Sequence, residues 1–466
     1  MTLIIVLIIL IGYVGVATEH IIHVNKAAVA MFLGVVAWIL LIMDGSSYLS
    51  AQHVTDFFMY LGDNEPSALA SRTFIANAVF PKYAAQICSL VLYLLATITI
   101  VNVLNSNGAF DFLTELIRTT SVKRMLWVTA FVTYFLSANL DNLTTVALMI
   151  VIIRKIIPNK TDRLYFDCII LLAANCGGSF TAIGDITSLM LWTNSCITPS
   201  KFAMGVFLPS LVALVIPTWI VSKKVPDHIR LQSHLGAFNG DDYVMKRWQR
   251  IVMLVVGLGG LWFIPTFHVI TDLPPFVGAL CVLSILWVIE EIFMRKFLKI
   301  DSPSSMSRVP KGLQYAEMQT LLFIVGVVLS VSALKETGAL HVFETWCNES
   351  VRDIYVVSIL LGAVSSFLDN IPLVLSAINI FPVADGAIVY DDYAMAYTEN
   401  GAFWQLLSYC GAVGGSIMTI GSTAGFALMK AEGVRLRWYI SKFSWIVTIG
   451  WGAGLLVFWI TEILTK

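Results

Sequence analysis

The chain has 466 residues, of which 58% are hydrophobic and only 13% charged, with a formal net charge of −1. A soluble domain carries about a quarter of its residues as charges, so this balance excludes a soluble enzyme or binding module and predicts an integral membrane protein. Membrane lipid is the expected surrounding, and no nucleic-acid partner is expected.

Apolar segments of about 17 to 25 residues recur along the whole length, whereas the alternating ten-residue strands of a barrel do not, which predicts an all-α polytopic membrane protein. Full spans are predicted over about 3–17, 27–43 and 85–104. The run after Met1 lacks a basic n-region and an A-x-A cleavage site, so it reads as the first span and not as a secretory signal. The next stretch, 125–157, carries Ser137-Ala138-Asn139-Leu140-Asp141-Asn142 at its midpoint. It is flanked by Lys123, Arg124, Arg154 and Lys155, which suits a re-entrant helical hairpin that enters and leaves by one face. A span over 164–192 is interrupted at Gly177-Gly178-Ser179, and a span over 202–221 completes this half.

After a polar segment come spans over about 251–267, 276–297 and 317–334. A second hairpin over 354–380 surrounds Ser365-Ser366-Phe367-Leu368-Asp369-Asn370, and an interrupted span over 403–429 contains Gly414-Gly415-Ser416. The last span covers 438–463.

Four phrases thus occur twice in the same order, a signature of internal duplication. His20 to Gly34 resembles His268 to Val282, and Asn107-Gly108-Ala109-Phe110 resembles Thr337-Gly338-Ala339-Leu340. The L-D-N and G-G-S phrases follow. The expected organisation is a first repeat over 1–226 (scaffold 1–105, hairpin and broken helix 123–195), a linker over 227–248 and a second repeat over 249–466 (scaffold 249–335, hairpin and broken helix 353–430). Each repeat has about five full crossings, an odd number, so the repeats have inverted topology.

Charge sorts accordingly. If the loop after the first span is cytoplasmic, most Lys and Arg fall on that side, including Lys223, Lys224, Arg295, Lys296, Lys299, Arg435 and Arg437, as the positive-inside rule requires. Asp56, Asp63, Glu65, Asp385, Asp391, Asp392 and Glu399 make the other face acidic. Both termini are then periplasmic in a bacterial inner membrane.

A carboxylate costs about 2.5 to 3.5 kcal/mol at the centre of a membrane helix, so two in matching positions point to ions rather than to packing. Irregular backbone at that depth is tolerated only where protein or a watery cavity satisfies it. Loop glycines Gly177, Gly178, Gly414 and Gly415 would break two spans there, freeing carbonyl oxygens and presenting Ser179, Thr181, Ser416 and Thr419. Hairpin tips and breaks together supply Asp141, Asn142, Asn175, Asp185, Thr187, Asp369 and Asn370, oxygen-rich groups that suit a small hard cation such as sodium. No basic residue lies within the four phrases, which favours a cation over a dicarboxylate. The seven cysteines show no C-x-x-C pairing and suit neither a zinc site nor a disulfide framework.

Desolvation and a neighbouring like charge both disfavour an ionised carboxylate. Asp141 and Asp185 are therefore expected to hold either a proton or a sodium ion, with Asp369 as their partner. No cofactor is expected beyond the transported ions.

Blander roles compete for the same residues. Asp141 and Asp369 can cap the second arm of each hairpin, the glycines can let helices approach closely, and the hydroxyls can bond to neighbouring carbonyls. Glu290 and Glu291 read as solvated carboxylates at a span end. His20, His23 and His268 lie near span ends as ordinary interface residues, and Trp438, Trp445, Trp451 and Trp459 as belt or lipid-facing residues.

The two L-D-N phrases, Asn175 ahead of G-G-S, and Gly184-Asp185-Ile186-Thr187 resemble the NhaD-type sodium/proton antiporters of the ion transporter superfamily. The resemblance covers nearly the whole chain. It implies exchange of cytoplasmic sodium, and often lithium, for external protons, a scaffold with a mobile transport domain, and a homodimer. It would carry functional roles to Ser137, Asp141, Asn142, Asn175, Asp185 and Thr187, and to Ser365, Asp369, Asn370, Ser416 and Thr419. Ser422 stands where the first half has Asp185, so the half-sites are unequal.

Two rivals remain. A small-anion carrier for di- or tricarboxylates or arsenite would share hairpins and broken helices. An intramembrane aspartyl protease would use Asp141 and Asp185, but Ala182 replaces the glycine of a G-x-G-D phrase and Asp369 would have no role.

Overall fold

In lipid an apolar segment finds no solvent partner for its N–H and C=O groups, and a helix satisfies them internally. The computed structural model follows this rule, and it describes residues 2–45, 53–119, 121–226, 229, 245–294, 318–386 and 391–465. Most of the expected linker, and Arg295, Lys296 and Lys299, lie outside the described residues, as does the His20 side chain. In chain order the main helices are α1 Thr2–Ala17, α2 Lys26–Met43, α3 Ala68–Ser106, α4 Val122–Ser137, α5 Asn142–Ile156, α6 Lys160–Gly178, α7 Ile186–Thr193 and α8 Pro199–Ser222. They continue with α9 Arg247–Thr271, α10 Pro275–Met294, α11 Met318–Glu336, α12 Ile354–Ser365, α13 Asn370–Ile380, α14 Ala402–Gly414, α15 Thr423–Glu432 and α16 Leu436–Leu464.

Seven of them, α2, α3, α8, α9, α10, α11 and α16, are long and apolar enough to cross a membrane. Among the described residues the strand-like pairing is confined to one isolated bridge between Ala384 and Thr398. The chain is an all-α polytopic membrane protein. One span is longer than its hydropathy predicts, because α3 begins at Ala68 and not near residue 85. Arg72, Asn77 and Lys82 dilute its first turns, and a π turn at Ile75–Val79 is separated from Pro81 by one residue. Such a turn accommodates the donor that proline lacks.

The helices pack in two groups. In the first, α2 crosses α11 so closely that a Cβ on Gly326 would lie 2.4 Å from the carbonyl carbon of Ala30. Small residues at a crossing permit this backbone approach. The Trp38 indole N–H donates to the Leu329 carbonyl at 3.0 Å and fixes the register. Helices α1, α3, α9 and α10 complete this group. The second contains α4–α8 and α12–α16, with Gly450 of α16 seated against Pro217 of α8.

The second group contains two helical hairpins. The α4–α5 hairpin opens where Arg154 meets Glu432, at the end that also carries Lys26 and Lys430. The α12–α13 hairpin leads into a segment in which Asn400 bonds to Cys196 and Thr198. Helix α6 breaks over 179–185 before α7, and α14 breaks over 415–422 before α15. Gly108 and Gly338, from the duplicated phrase, both take left-handed φ values of 69° and 74° after a helix end, a conformation glycine adopts without a Cβ penalty.

Two expectations need correction. Gly177, Gly178 and Gly414 are not loop glycines but the last residues of their helices, and only Gly415 lies in the turn. A Cβ on Gly177 would lie 2.1 Å from the Tyr134 carbonyl oxygen, and one on Gly414 would lie 2.7 Å from that of Gly362. Their task is close packing of each broken helix on its hairpin. Glu290 is not solvated either: it is fully buried and accepts from the Asn107 amide at 3.3 Å.

Candidate functional site

The tip of each hairpin is a tight reversal whose second arm starts on an aspartate. Asp141 and Asp369 take nearly the same backbone, φ −50° and ψ 143° against φ −55° and ψ 140°. Each carboxylate caps its helix: Asp141 accepts from the Leu143 and Thr144 N–H groups, and Asp369 accepts from that of Ile371. An acid suits an N-cap because the first N–H groups of a helix lack intrahelical partners. The residue after each cap, Asn142 or Asn370, then points into the protein.

Both asparagines reach one acid. Asp185 starts α7 at the end of the first break, and its Oδ2 accepts from the Asn370 amide at 3.0 Å and from the Thr187 hydroxyl at 2.7 Å. Its Oδ1 accepts from the Asn142 amide at 3.4 Å. That amide also donates to Asn175 Oδ1 at 3.0 Å, and Asn175 in turn donates to the Ser416 hydroxyl at 2.8 Å and to the Ser422 hydroxyl at 3.3 Å. Asn142, Asn175, Asp185, Thr187, Asn370, Ser416 and Ser422 are all buried. Two hairpin tips and two broken helices therefore meet in one network of neutral donors around a single carboxylate.

Ser422 has the same cap geometry at the start of α15 as Asp185 has at the start of α7, φ −144° and ψ 150° against φ −141° and ψ 149°. The second break thus presents a hydroxyl where the first presents an acid. The sequence comparison marked this position only as a departure, and the structure joins it to Asn175.

The other predicted hydroxyls do not enter this network. Ser137 donates to the Ala174 carbonyl, Thr181 to Ala138, Ser365 to Gly411 and Ser179 to Cys176, each at 2.7 to 2.8 Å. Thr419 donates to the Met429 sulfur. The first three tie each break to its hairpin, so that the irregular backbone keeps its polar groups satisfied. Ser408 and Tyr439 do the same for the Ser179 and Ser416 carbonyls.

Asp141, the residue before Asn142, is half-buried, and the buried Tyr93 of α3 lies close enough to feel its charge. Asp369 meets a residue the sequence reading did not select. Lys26 Nζ, at the start of α2, donates to Asp369 Oδ2 at 2.7 Å and sits 4.4 Å from the centre of the Phe323 ring. Nothing local in the sequence marks Lys26 apart from other basic residues at span ends.

A second missed cluster lies at the same end of the molecule. Arg163 binds Glu432 at 2.5 Å and faces Asp167 at 3.6 Å, while Arg154 binds Glu432 at 2.7 Å. It joins the open end of the α4–α5 hairpin to α6 and α15.

Two cavities are lined by residues of the hairpins, the broken helices and the first group. One, of about 750 Å³, lies between the groups and is lined by Glu19, Lys26, Leu143, Thr320, Phe426 and Lys430 among others. The other, of about 400 Å³, is lined by Gln86, Tyr93, Trp192, Asn194, His268 and Asp272 among others. His268 is thus a cavity residue, packed edge-on against Trp192. Among the described residues no group of three or more His, Cys, Asp or Glu forms a metal cluster. The groups around Asp185 are two amides and a hydroxyl, all donating to its carboxylate.

A family model described as a citrate transporter matches residues 5–398. Sodium/proton antiporter 1 of Arabidopsis thaliana is 30% identical over 457 residues, covering 96% of this chain and 70% of that relative. The Na(+)/H(+) antiporter NhaD of Vibrio parahaemolyticus is 29% identical over 380 residues, covering 77% and 86%. That of Alkalimonas amylolytica is 27% identical over 488 residues, covering 96% and 88%. These relatives are transporters by name, not enzymes. The protein belongs to the NhaD-type sodium/proton antiporter family, within the wider family that the citrate-transporter model describes.

Proposed function

We propose that this protein exchanges cytoplasmic sodium, and lithium, for external protons, with Asp185 as the carboxylate that holds one or the other and Asp141 as its neighbour at the site. The observation that carries the reading is the convergence of Asn142 and Asn370, from the tips of two different hairpins, on one buried Asp185 carboxylate. Both amides donate to the acid. A cation arriving there needs oxygens, and rotation of either side chain exchanges its NH₂ for its carbonyl oxygen. Protonation of Asp185 removes the charge that holds the metal ion, so exchange follows from competition without a separate proton path. The desolvated site strengthens both alternatives relative to water.

The two helix groups act as scaffold and transport domain in this scheme, and the chain as two inverted repeats. The recurring cap geometry at Asp141 and Asp369, and at Asp185 and Ser422, supports that organisation. The cavities are then access paths from the two faces. We place the Lys26 end at the cytoplasm of a bacterial plasma membrane, with both termini outside. Cysteines introduced near Lys223 should react only with reagents that reach the cytoplasm, and those near Asp391 only with external ones; the reverse pattern overturns the orientation. The apolar side chains that α9 and α10 leave exposed, among them Trp262, Val269, Ile285 and Val288, would face lipid or a second copy in a homodimer.

Lys26 offers the small-anion alternative a cationic group near the site, but Asp369 already engages it. Everted vesicles carrying the protein should lose a preformed pH gradient on addition of sodium or lithium, and not on addition of citrate or succinate. Carboxylate-dependent uptake without a sodium response would establish the alternative.

A further inference from the structure

Lys26 and Asp369 are 343 residues apart in sequence and belong to different helix groups, yet their contact is a direct 2.7 Å ion pair with the side chains only 12% and 3% exposed. We infer that Lys26 is the built-in counter-ion of Asp369, a tethered ammonium that holds the place of a second transported cation, so that the tip of the α12–α13 hairpin takes part in each cycle without loading an ion. This rests on the antiport reading above and specifies how many cations its site carries.

Four observations lead there. The ammonium is a compact point charge, the side-chain group that most resembles a hydrated alkali cation in its demand for oxygen. It cannot swing far, because Phe323 flanks it and the helix that bears it is locked to α11 at Gly326 three residues further on. Separating the pair would leave an uncompensated carboxylate away from water, which is more costly than keeping both charges together. Lys26 lines both the 750 Å³ cavity, with Glu19 and Lys430, and a small cavity that reaches Asp369, with Glu19, so a cation entering by either meets the ammonium beside Asp369.

The duplicated sequence supplies a control within the same molecule. In the correspondence of His20–Gly34 with His268–Val282, Lys26 falls opposite Pro274, which carries no charge. Ser422 replaces the Asp185 carboxylate in the same half that Lys26 neutralises. Both departures remove mobile-ion chemistry from one half-site and leave it in the other.

The test counts sodium. Equilibrium dialysis of the purified full chain against radioactive sodium should show one more bound equivalent in Lys26→Met than in the wild type. Lys26→Arg should stay at the wild-type count, and Lys26→Met combined with Asp369→Asn should return to it. A monodisperse Lys26→Met protein with the wild-type count overturns the proposal. A second readout needs no transport: acylation of Lys26 by an amine-reactive ester should rise several-fold in Asp369→Asn and stay unchanged when sodium saturates the wild type. A sodium-induced rise overturns the proposal, because it means that sodium displaces the ammonium. Sodium binding in Lys26→Met but not in the wild type would sink the antiport reading alone, and binding in neither would sink both.

Discussion

Asp185→Asn is expected to reduce sodium-driven proton movement to the level of empty vesicles while leaving the protein inserted and monodisperse. The substitution keeps the shape of the side chain and removes both of its relevant abilities, since an amide neither takes up a proton in this range nor neutralises a metal ion. It also turns one carboxylate oxygen into an NH₂ that faces donors already aimed at it, the Asn142 and Asn370 amides and the Thr187 hydroxyl. Dequenching of a pH-sensitive dye in everted vesicles reads the exchange, and size-exclusion chromatography reads the fold. Ser422→Ala is the matched control in the second half, where loss of a hydroxyl bonded to Asn175 should slow exchange without abolishing it. Full activity of a well-inserted Asp185→Asn protein would remove this carboxylate from the mechanism.

Arg163→Met should have the largest effect on stability. Its guanidinium lies against Glu432 and Asp167, which are 3% and 0% exposed, and it also donates to the Ile157 and Pro158 carbonyls. Its removal leaves buried acids with too little positive charge, a change that costs about 3 to 5 kcal/mol when one partner of a buried pair is lost. Thermal unfolding in detergent, followed by exposure of the buried thiols Cys168 and Cys176 to a thiol-reactive dye, should show a clearly lowered midpoint. Adding Glu432→Gln to the same chain should recover part of the loss. A midpoint equal to that of the wild type would mean that the cluster contributes little.

The parts of this molecule that depend on near neighbours were legible in its sequence. Hydropathy places the spans because each must satisfy its own backbone in lipid, and a paired aspartate and asparagine inside an apolar run announces a reversal because that pair caps a new helix. The same local logic erred at two kinds of place. It shortened α3, whose first turns are helical despite Arg72, Asn77 and Lys82, because packing outweighs local polarity there. It also gave Gly177, Gly178 and Gly414 to loops, where the absence of a Cβ serves instead to bring a helix onto a hairpin.

Contacts between distant segments were not legible. Nothing in the residues near Lys26 tells it from other basic residues at span ends, and its partner is set by where α2 lies against the second hairpin tip. The Arg163 cluster and burial of Glu290 have the same origin, since an ion pair is selected by distance in space and sequence spacing constrains that only within a helix turn. The Asp185 network divides between the two. Its members were readable one by one as oxygen-bearing residues at membrane depth, but which of them touch the carboxylate was decided by the meeting of two tips and two breaks. By itself the sequence determined the all-helical membrane architecture and the positions of reversals and breaks, because these follow from hydrogen bonding and hydrophobicity over a few turns. Only the tertiary structure decided that Asn142 and Asn370 share Asp185, and that Lys26 claims Asp369, because partnership among polar groups is fixed by the packing that brings them within about 3 Å.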